Sequence, residues 1–384
     1  MNGKQNLYYV PIEPLDERYT GQWYTEFPIA FKKAGFNTIT IDGSILSTHV
    51  DVGTFLPMNS TVHYKNTQLQ RIAKLFQDHE IKNNDIFFIA DLEFWGIESI
   101  RLMAQMNNIK VFIFAFLHAA SYTKEDAFEI ATPYQKYTEL GWLSMCDLVF
   151  VGSEYHKQAV IERRIRPYAS KEDFEGLVEK IKVTGNPIFM DQYKLPAMPP
   201  KKKQIIISNR FDWEKRPNIS LDFAYILKKR NPDLSIVVTT SRPVFKSNKK
   251  WLSDMAIEME HDGIISIMDG LSKQAYHKVL AESKVMLTNS IEENFGYCIA
   301  EALLFNTYPV AKNELSHPEL CNYDTRLLFN DEDEIIEKVE YLLDSKFEVK
   351  DYITKYQYAL TFMVSHMTRI RAEKELTKNA TFTI

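Results

Sequence analysis

Short apolar runs with almost no polar interruption recur along this chain, spaced so that a helix fits between each pair. The plainest are "DIFFIAD" at 85–91, "VFIFAFLH" at 111–118 and "LVFVGS" at 148–153. A strand with one wet face alternates apolar and polar residues. A strand covered on both faces does not, and parallel strands sandwiched between helices are the usual place for one. The pattern therefore demands an open α/β sheet with helices on both sides.

The other runs fit the same scheme. "NLYYVPI" (6–12) and "TITIDG" (38–43) add two strands, and helix-period segments fall at 22–34, 66–79, 96–107 and 124–145. Residues 1–190 thus read as one doubly wound, Rossmann-like domain. The stretch "NPIFMDQYKLPAMPPKKKQ" (186–204), with four prolines and a lysine run, reads as a linker. The alternation then restarts, with strands expected at 204–209, 234–240, 264–269, 285–290 and 308–312 and helices at 216–230, 247–260, 272–282 and 297–305. A second domain is expected over 191–360. "DYITKYQYALTFMVSHMTRIRAEKEL" reads as a helical pair, with a C-terminal helix over 361–384 packing back on the first domain.

A chain of 384 residues suits two such domains. The net charge of −5 gives no global basic field for nucleic acid or anionic membrane. The three cysteines, Cys146, Cys298 and Cys321, are sparse and unpaired in spacing, which points to a reducing compartment rather than a disulfide framework or zinc site. No run approaches the length of a membrane span and the N-terminal stretch lacks a signal core, so a cytoplasmic protein is expected. The pattern does not fix an oligomeric state.

The second domain carries the informative residues. Arg210 and Lys215 stand five apart in "SNRFDWEKRPN", where a strand turns into a helix. Two cations near helix amides make a seat for a pyrophosphate, although solvated loop cations look the same in isolation. Further on, "TNSIEENFGYCIAEALLFNTYPVAK" sets Glu293 and Glu301 eight apart around a strand-to-helix turn. Unpaired carboxylates are costly to bury, and a carboxylate is well suited to accept from sugar hydroxyls. Glu301 alone is equally an ordinary acid in the first turns of a helix.

In order, these residues resemble the retaining glycosyltransferases of the GT-B fold, two Rossmann-like domains facing across a cleft. The resemblance covers most of residues 204–345 and, more weakly, 1–190. The family's Arg-x4-Lys pair falls on Arg210 and Lys215, with Ser208-Asn209 where the family usually has glycine. Its Gly-(Val/Leu)-Ser turn falls on Gly270-Leu271-Ser272, a strand ends at Ser290, and Glu-x7-Glu falls on Glu293 and Glu301 around Asn294-Phe295-Gly296. The resemblance implies a nucleoside diphosphate sugar held by Arg210, Lys215, Gly270, Ser290, Glu293, Asn294, Phe295, Gly296 and Glu301, with UDP-glucose as the default donor. It implies a retained anomeric configuration, no cofactor and no metal. The Asp-x-Asp in "NDEDEIIEK" (330–338) is accordingly read as a helix cap.

In the first domain the family often places a histidine at a strand end near the reacting sugar, here His118; a core histidine is the plain alternative. The first strand-to-helix loop departs from the family's Gly-Gly turn, having Arg18, Tyr19, Gln22 and Trp23 around Gly21. This loop is similar to that of phage-encoded glycosyltransferases that decorate hydroxymethylated pyrimidines, so those four residues are candidate acceptor contacts and double-stranded DNA a candidate acceptor. Two basic clusters bear on this reading: Lys157, Arg163, Arg164, Arg166 and Lys171, then Arg242, Lys246, Lys249 and Lys250. Solvated faces explain them equally well. A surface glycan or lipid-linked saccharide is the alternative acceptor, and a non-catalytic nucleotide-sugar-binding module the alternative class. A sugar-nucleotide epimerase shares the fold but has no need of both motif pairs.

Overall fold

The computed structural model describes residues 4–15, 19–47, 57–123, 133–240, 242 and 244–381, with 374–381 as backbone only. The chain forms two compact units, Met1–Ile188 with Tyr358–Ile384, and Phe189–Gln357.

The first unit runs β1 (Asn6–Val10), α1 (Tyr19–Lys33), β2 (Asn37–Thr40), α2 (Met58–Gln77), β3 (Ile86–Ile89), α3 (Ile97–Met106), β4 (Phe112–Leu117), α4 (Gln135–Met145) and β5 (Leu148–Val151). Then α5 (Glu154–Val160) passes through a π-helical turn (Ile161–Ile165) into α6 (Arg166–Tyr168), followed by α7 (Lys171–Lys180) and β6 (Ile181–Val183). The sheet is parallel, ordered β2-β1-β3-β4-β5-β6. Both faces are covered, as the uninterrupted runs require: all six residues of β4 are buried. Alternate side chains serve opposite faces. Phe87, Ile113, Ala115 and Val149 join one core with Ile72, Ile97 and Trp142. Tyr9, Phe88 and Phe116 meet the rings of Trp23, Phe27 and Phe31 from α1 on the other. Each large ring buried this way contributes about 1.5–3 kcal/mol.

Helix α1 begins at Tyr19, earlier than the apolar pattern suggested. That start places Thr20, Trp23, Phe27 and Phe31 on one buried stripe.

The second unit runs β7 (Gln204–Ile207), α8 (Pro217–Arg230), β8 (Ser235–Thr239), α9 (Lys250–His261), β9 (Ser266–Met268), α10 (Lys273–Glu282) and β10 (Val285–Leu287). It continues through α11 (Tyr297–Leu304), β11 (Tyr308–Lys312), α12 (His317–Leu320), β12 (Leu328–Phe329) and α13 (Ile335–Asp344). Its parallel sheet is ordered β12-β11-β10-β7-β8-β9. Asp331 and Glu334 form a capping box at the turn that leads into α13.

The two units divide between Ile188 and Phe189, inside the proline-rich stretch expected as a linker, but its ends are held: Met190–Tyr193 forms a 3₁₀ turn with Tyr193 buried. Near its far end, Lys201 Nζ donates to the Ser283 carbonyl at 2.6 Å and to Thr307 Oγ1 at 2.7 Å. The expected helical pair is instead two 3₁₀ turns, Lys350–Tyr352 and Thr354–Tyr358, and one long helix, α14 (Ala359–Thr381). Val349, Ile353 and Tyr356 are buried, and tight turns suffice to deliver them. Helix α14 belongs to the first unit, where Met363 and Met367 are buried and the His366 ring lies 6.4 Å from Phe150.

Candidate active site

In the second sheet the strand order reverses between β7 and β10. Open α/β sheets bind ligands at the carboxyl ends of the strands beside such a reversal. Arg210 and Lys215 follow β7; Glu293, Gly296 and α11 follow β10. Hydrogen bonds tie the two loops together, from Asn209 Nδ2 to Thr288 Oγ1 at 2.6 Å and from the Ile291 amide to the Glu214 carbonyl at 3.0 Å.

Lys215 Nζ lies 2.8 Å from Glu293 Oε2 and 3.3 Å from the Glu292 carbonyl. Arg210 pairs with Glu214 at 2.6 Å. Arg216 takes a left-handed conformation (φ 44°) and Pro217 starts α8, which ends the cationic turn sharply. Burial alone would raise the Glu293 carboxyl; Lys215, aided by His317 and Arg210, overrides it and holds the group below its ordinary range. The residue is therefore a carboxylate at neutral pH.

Gly296 has φ 95° and precedes α11, which has no side-chain cap. A Cβ there would stand 3.2 Å from Glu293 Cγ and 3.1 Å from Leu320 Cδ1. Only glycine fits both the dihedral and the space. The uncapped end of α11, with its partial positive charge, opens beside Glu293.

Glu301 is buried in α11. Its Oε1 lies 3.4 Å from the Tyr193 hydroxyl and 3.5 Å from Lys273 Nζ. Burial raises its pKa above the ordinary value, with Lys273 and the hydroxyls of Tyr276 and Tyr193 only partly offsetting it. Gly270 (φ 59°) turns the chain between β9 and α10, and Ser272 caps α10 by accepting from the Ala275 amide at 3.3 Å. The Ser290 hydroxyl is buried without a hydrogen-bond partner among the described residues. Asn294 is half-buried on the loop. The Phe295 ring is buried against Tyr297 and Tyr356 and offers no face to a ligand.

Three residues of this neighbourhood were not foreseen: Tyr193, Lys273 and His317. Tyr193 lies in the proline-rich stretch, which hides it. His317, fully buried, donates from Nδ1 to the Lys312 carbonyl at 3.0 Å, leaving Nε2 buried with no partner among the described residues. Burial holds this imidazole neutral against the opposing pull of Glu293. The neighbouring Ser316 hydroxyl lies 2.9 Å from the Glu293 carbonyl and 2.8 Å from that of Phe295, bracing the turn. "SHPEL" directly after a strand was the available signal for His317.

In the first unit His118 stands at the carboxyl end of β4. Its Nε2 donates to the Ala90 carbonyl at 2.9 Å, so Nδ1 accepts from the Tyr19 hydroxyl at 3.2 Å. Burial lowers its pKa, opposed by Asp91 and the Ala90 carbonyl, and it is neutral at pH 7. Beside it Lys65 and Asp91 pair at 3.0 Å.

The acceptor candidates fare unevenly. Arg18 lies outside the described residues. Gln22 is half-buried on α1, and Tyr19 is engaged with His118. Trp23 is 1% exposed, packed against Phe27, Phe116 and His118, and offers no aromatic face to a ligand. Within the basic clusters, Arg164 is buried on Glu139 at 2.5 Å, and Arg242 forms a two-point pair with buried Asp212 at 2.8 and 3.2 Å. Lys246, Lys249 and Lys250 are exposed. Among the described residues no three metal-ligating side chains come together, and no helix is long and apolar enough to cross a membrane.

Solved structures similar to this chain have the GT-B architecture. Sucrose-phosphate synthase from Thermosynechococcus elongatus superposes with a TM-score of 0.62 at 11% identity, covering 99% of each chain. The catalytic domain of starch synthase IV from Arabidopsis thaliana, bound to ADP and acarbose, does so at 0.59 and 12%, covering 95% of this chain and 100% of the other. A putative UDP-N-acetylglucosamine 2-epimerase from Listeria monocytogenes reaches 0.58 at 13%, covering 97% and 98%. At these identities the likeness is one of fold. No curated protein sequence matches the chain. The model of the family described as glycosyl transferases group 1 matches residues 193–359, nearly the whole of the second unit.

Proposed function

We propose that the chain is a retaining glycosyltransferase that moves a sugar from a nucleoside diphosphate sugar, by default a UDP-sugar, to an acceptor hydroxyl. The observation that carries this reading is the meeting of Lys215 and Glu293 at the strand-order reversal, beside Arg210 and the open end of α11. The match of residues 193–359 to a glycosyltransferase family supports it.

Arg210, Lys215 and the α11 amides take the diphosphate, whose charge grows as the sugar leaves. Fixed donors aimed at developing charge are commonly the largest catalytic contribution. Glu293 accepts from hydroxyls of the donor sugar while Glu301 accepts from those of the ribose. The bond from the anomeric carbon to the phosphate oxygen breaks, one to the acceptor oxygen forms on the same face, and the departing phosphate oxygen takes the acceptor's proton. This chemistry calls on no metal.

A saccharide hydroxyl is the better-supported acceptor. The DNA reading loses Trp23 to the core and Arg164 and Arg242 to internal carboxylates. What still favours DNA is exposed Lys246, Lys249 and Lys250 near Trp213 and Trp251, whose ring centres lie 6.0 Å apart. A transfer assay with radiolabelled UDP-, ADP- and GDP-glucose and three acceptors decides: a mixed glycan pool, hydroxymethylated DNA and unmodified DNA. Label in glycans supports the proposal, and label in hydroxymethylated DNA alone replaces the acceptor. Epimerised donor without transfer overturns the enzyme class. Anomeric analysis of the product with EDTA present tests retention and metal independence.

A further inference from the structure

Besides the nearby Tyr276 hydroxyl, two groups approach Glu301 at one oxygen. The Tyr193 hydroxyl approaches Oε1 at 3.4 Å from the 3₁₀ turn Met190–Tyr193, and Lys273 Nζ approaches the same oxygen at 3.5 Å from the first turn of α10. At 3.4 and 3.5 Å both contacts are longer than ordinary hydrogen bonds, so they bias the carboxylate's orientation without closing it off. Both converge on Oε1 and leave Oε2 to other partners.

The tyrosine itself is firmly placed. It is 6% exposed, with its ring 5.0 Å from His277 and 6.5 Å from Phe305. His277 is one helical turn beyond Lys273 on α10, and Phe305 directly follows α11. Tyr193 therefore wedges between the helix that carries Lys273 and the helix that carries Glu301, with its hydroxyl on the carboxylate. A buried phenol usually has a polar partner, and a phenylalanine would fill the same apolar space.

We infer that Tyr193 is a positioning residue for nucleotide recognition: its hydroxyl turns Glu301 so that the carboxylate accepts from the vicinal hydroxyls of a ribose. The inference rests on the reading of Glu301 as the ribose-binding carboxylate given above. It makes the start of the connecting segment part of the nucleotide site, with Lys273 holding the same oxygen.

Tyr193→Phe tests it, because the ring and its packing survive while the hydroxyl is lost. Calorimetric titrations of the full chain use UDP, ADP and GDP and their 2′-deoxy counterparts. The wild type is expected to prefer at least one ribonucleotide over its 2′-deoxy form. In Tyr193→Phe, affinity for that ribonucleotide should fall roughly 3- to 10-fold, as for one hydrogen bond, with the 2′-deoxy affinity nearly unchanged. In a Glu301→Ala background the same substitution should have no further effect. A purely structural role for Tyr193 would weaken both nucleotides alike. Equal losses, or an unchanged preference in Tyr193→Phe, overturn the inference and leave the nucleotide site standing. A wild type that binds diphosphates without regard to the 2′-hydroxyl removes the ribose role of Glu301 and the inference with it. A wild type that binds none of the six overturns the donor reading itself.

Discussion

Lys215 and Glu293, 78 residues apart in sequence, meet at 2.8 Å where the second sheet reverses its strand order. The pair joins the turn after β7 to the loop before α11, and each partner explains the other's burial. A carboxylate this enclosed would resist ionising alone; the ammonium beside it makes it an anion. An ammonium so placed is available to a phosphate, and a carboxylate so placed to a sugar hydroxyl.

Lys215→Ala and Glu293→Ala should each reduce transfer by more than about 100-fold, the scale for losing a preorganised electrostatic contact. Circular dichroism should show both variants folded. Full activity in either one removes the donor-site assignment.

Gly296→Ala should be costly out of proportion to one methyl group. At φ 95° a side chain is strained, and its Cβ would press on Glu293 Cγ and Leu320 Cδ1. A loss of about 1–2 kcal/mol in urea unfolding is expected from the dihedral alone. The displaced Glu293 should also weaken nucleotide-sugar binding in titration. An alanine variant with wild-type stability and affinity would mean that the turn relaxes freely.

The strands and the motif residues were legible because their signals are local. Buried parallel strands announce themselves by unbroken apolar runs, and Glu293, Gly296 and Glu301 lie within one turn and one helix. Contacts made over distance were not legible. Tyr193 reaches Glu301 across 108 residues from a stretch whose prolines suggest a free linker. Trp23 stands inside the expected helix but beside the loop's Gly21, so its burial was not legible; its place follows from the stripe it shares with Thr20, Phe27 and Phe31 and from Phe116, which is remote in sequence. Arg164 and Arg242 looked like surface charge because Glu139 and Asp212, their partners, are remote in sequence.

Glu301 makes a prediction about pH. Its pKa is raised, so it becomes protonated at a higher pH than an ordinary glutamate. A protonated carboxyl accepts poorly from a diol. Affinity for the preferred ribonucleoside diphosphate should therefore fall on acidification with a midpoint above the usual glutamate value. Glu301→Gln should lower the affinity and flatten that profile; an acid profile unchanged in Glu301→Gln would assign the titration to another group.

Buried histidines set the acid side of the stability curve. His156, 1% exposed, is pushed down to about 3 by burial, with a smaller push from His118. Its folded form refuses a proton that the unfolded chain accepts near pH 6.5. Between those values the unfolded state binds more protons, so stability rises with pH and is lost as pH falls below about 6.5, by about 1.4 kcal/mol per unit for one such group. Glu293 has the ordinary carboxylate sign: with its pKa depressed, it stabilises the fold above the unfolded value, and that stability is lost at lower pH. The two losses therefore occupy different windows, the histidine first. Urea unfolding of the wild type from pH 7 to 5 should show the early loss, and His156→Phe should make the curve shallower there, even if its absolute stability drops with the lost contact to the Tyr122 hydroxyl at 3.3 Å. A slope in that window identical in the variant and the wild type would show that His156 takes up its proton in the folded state.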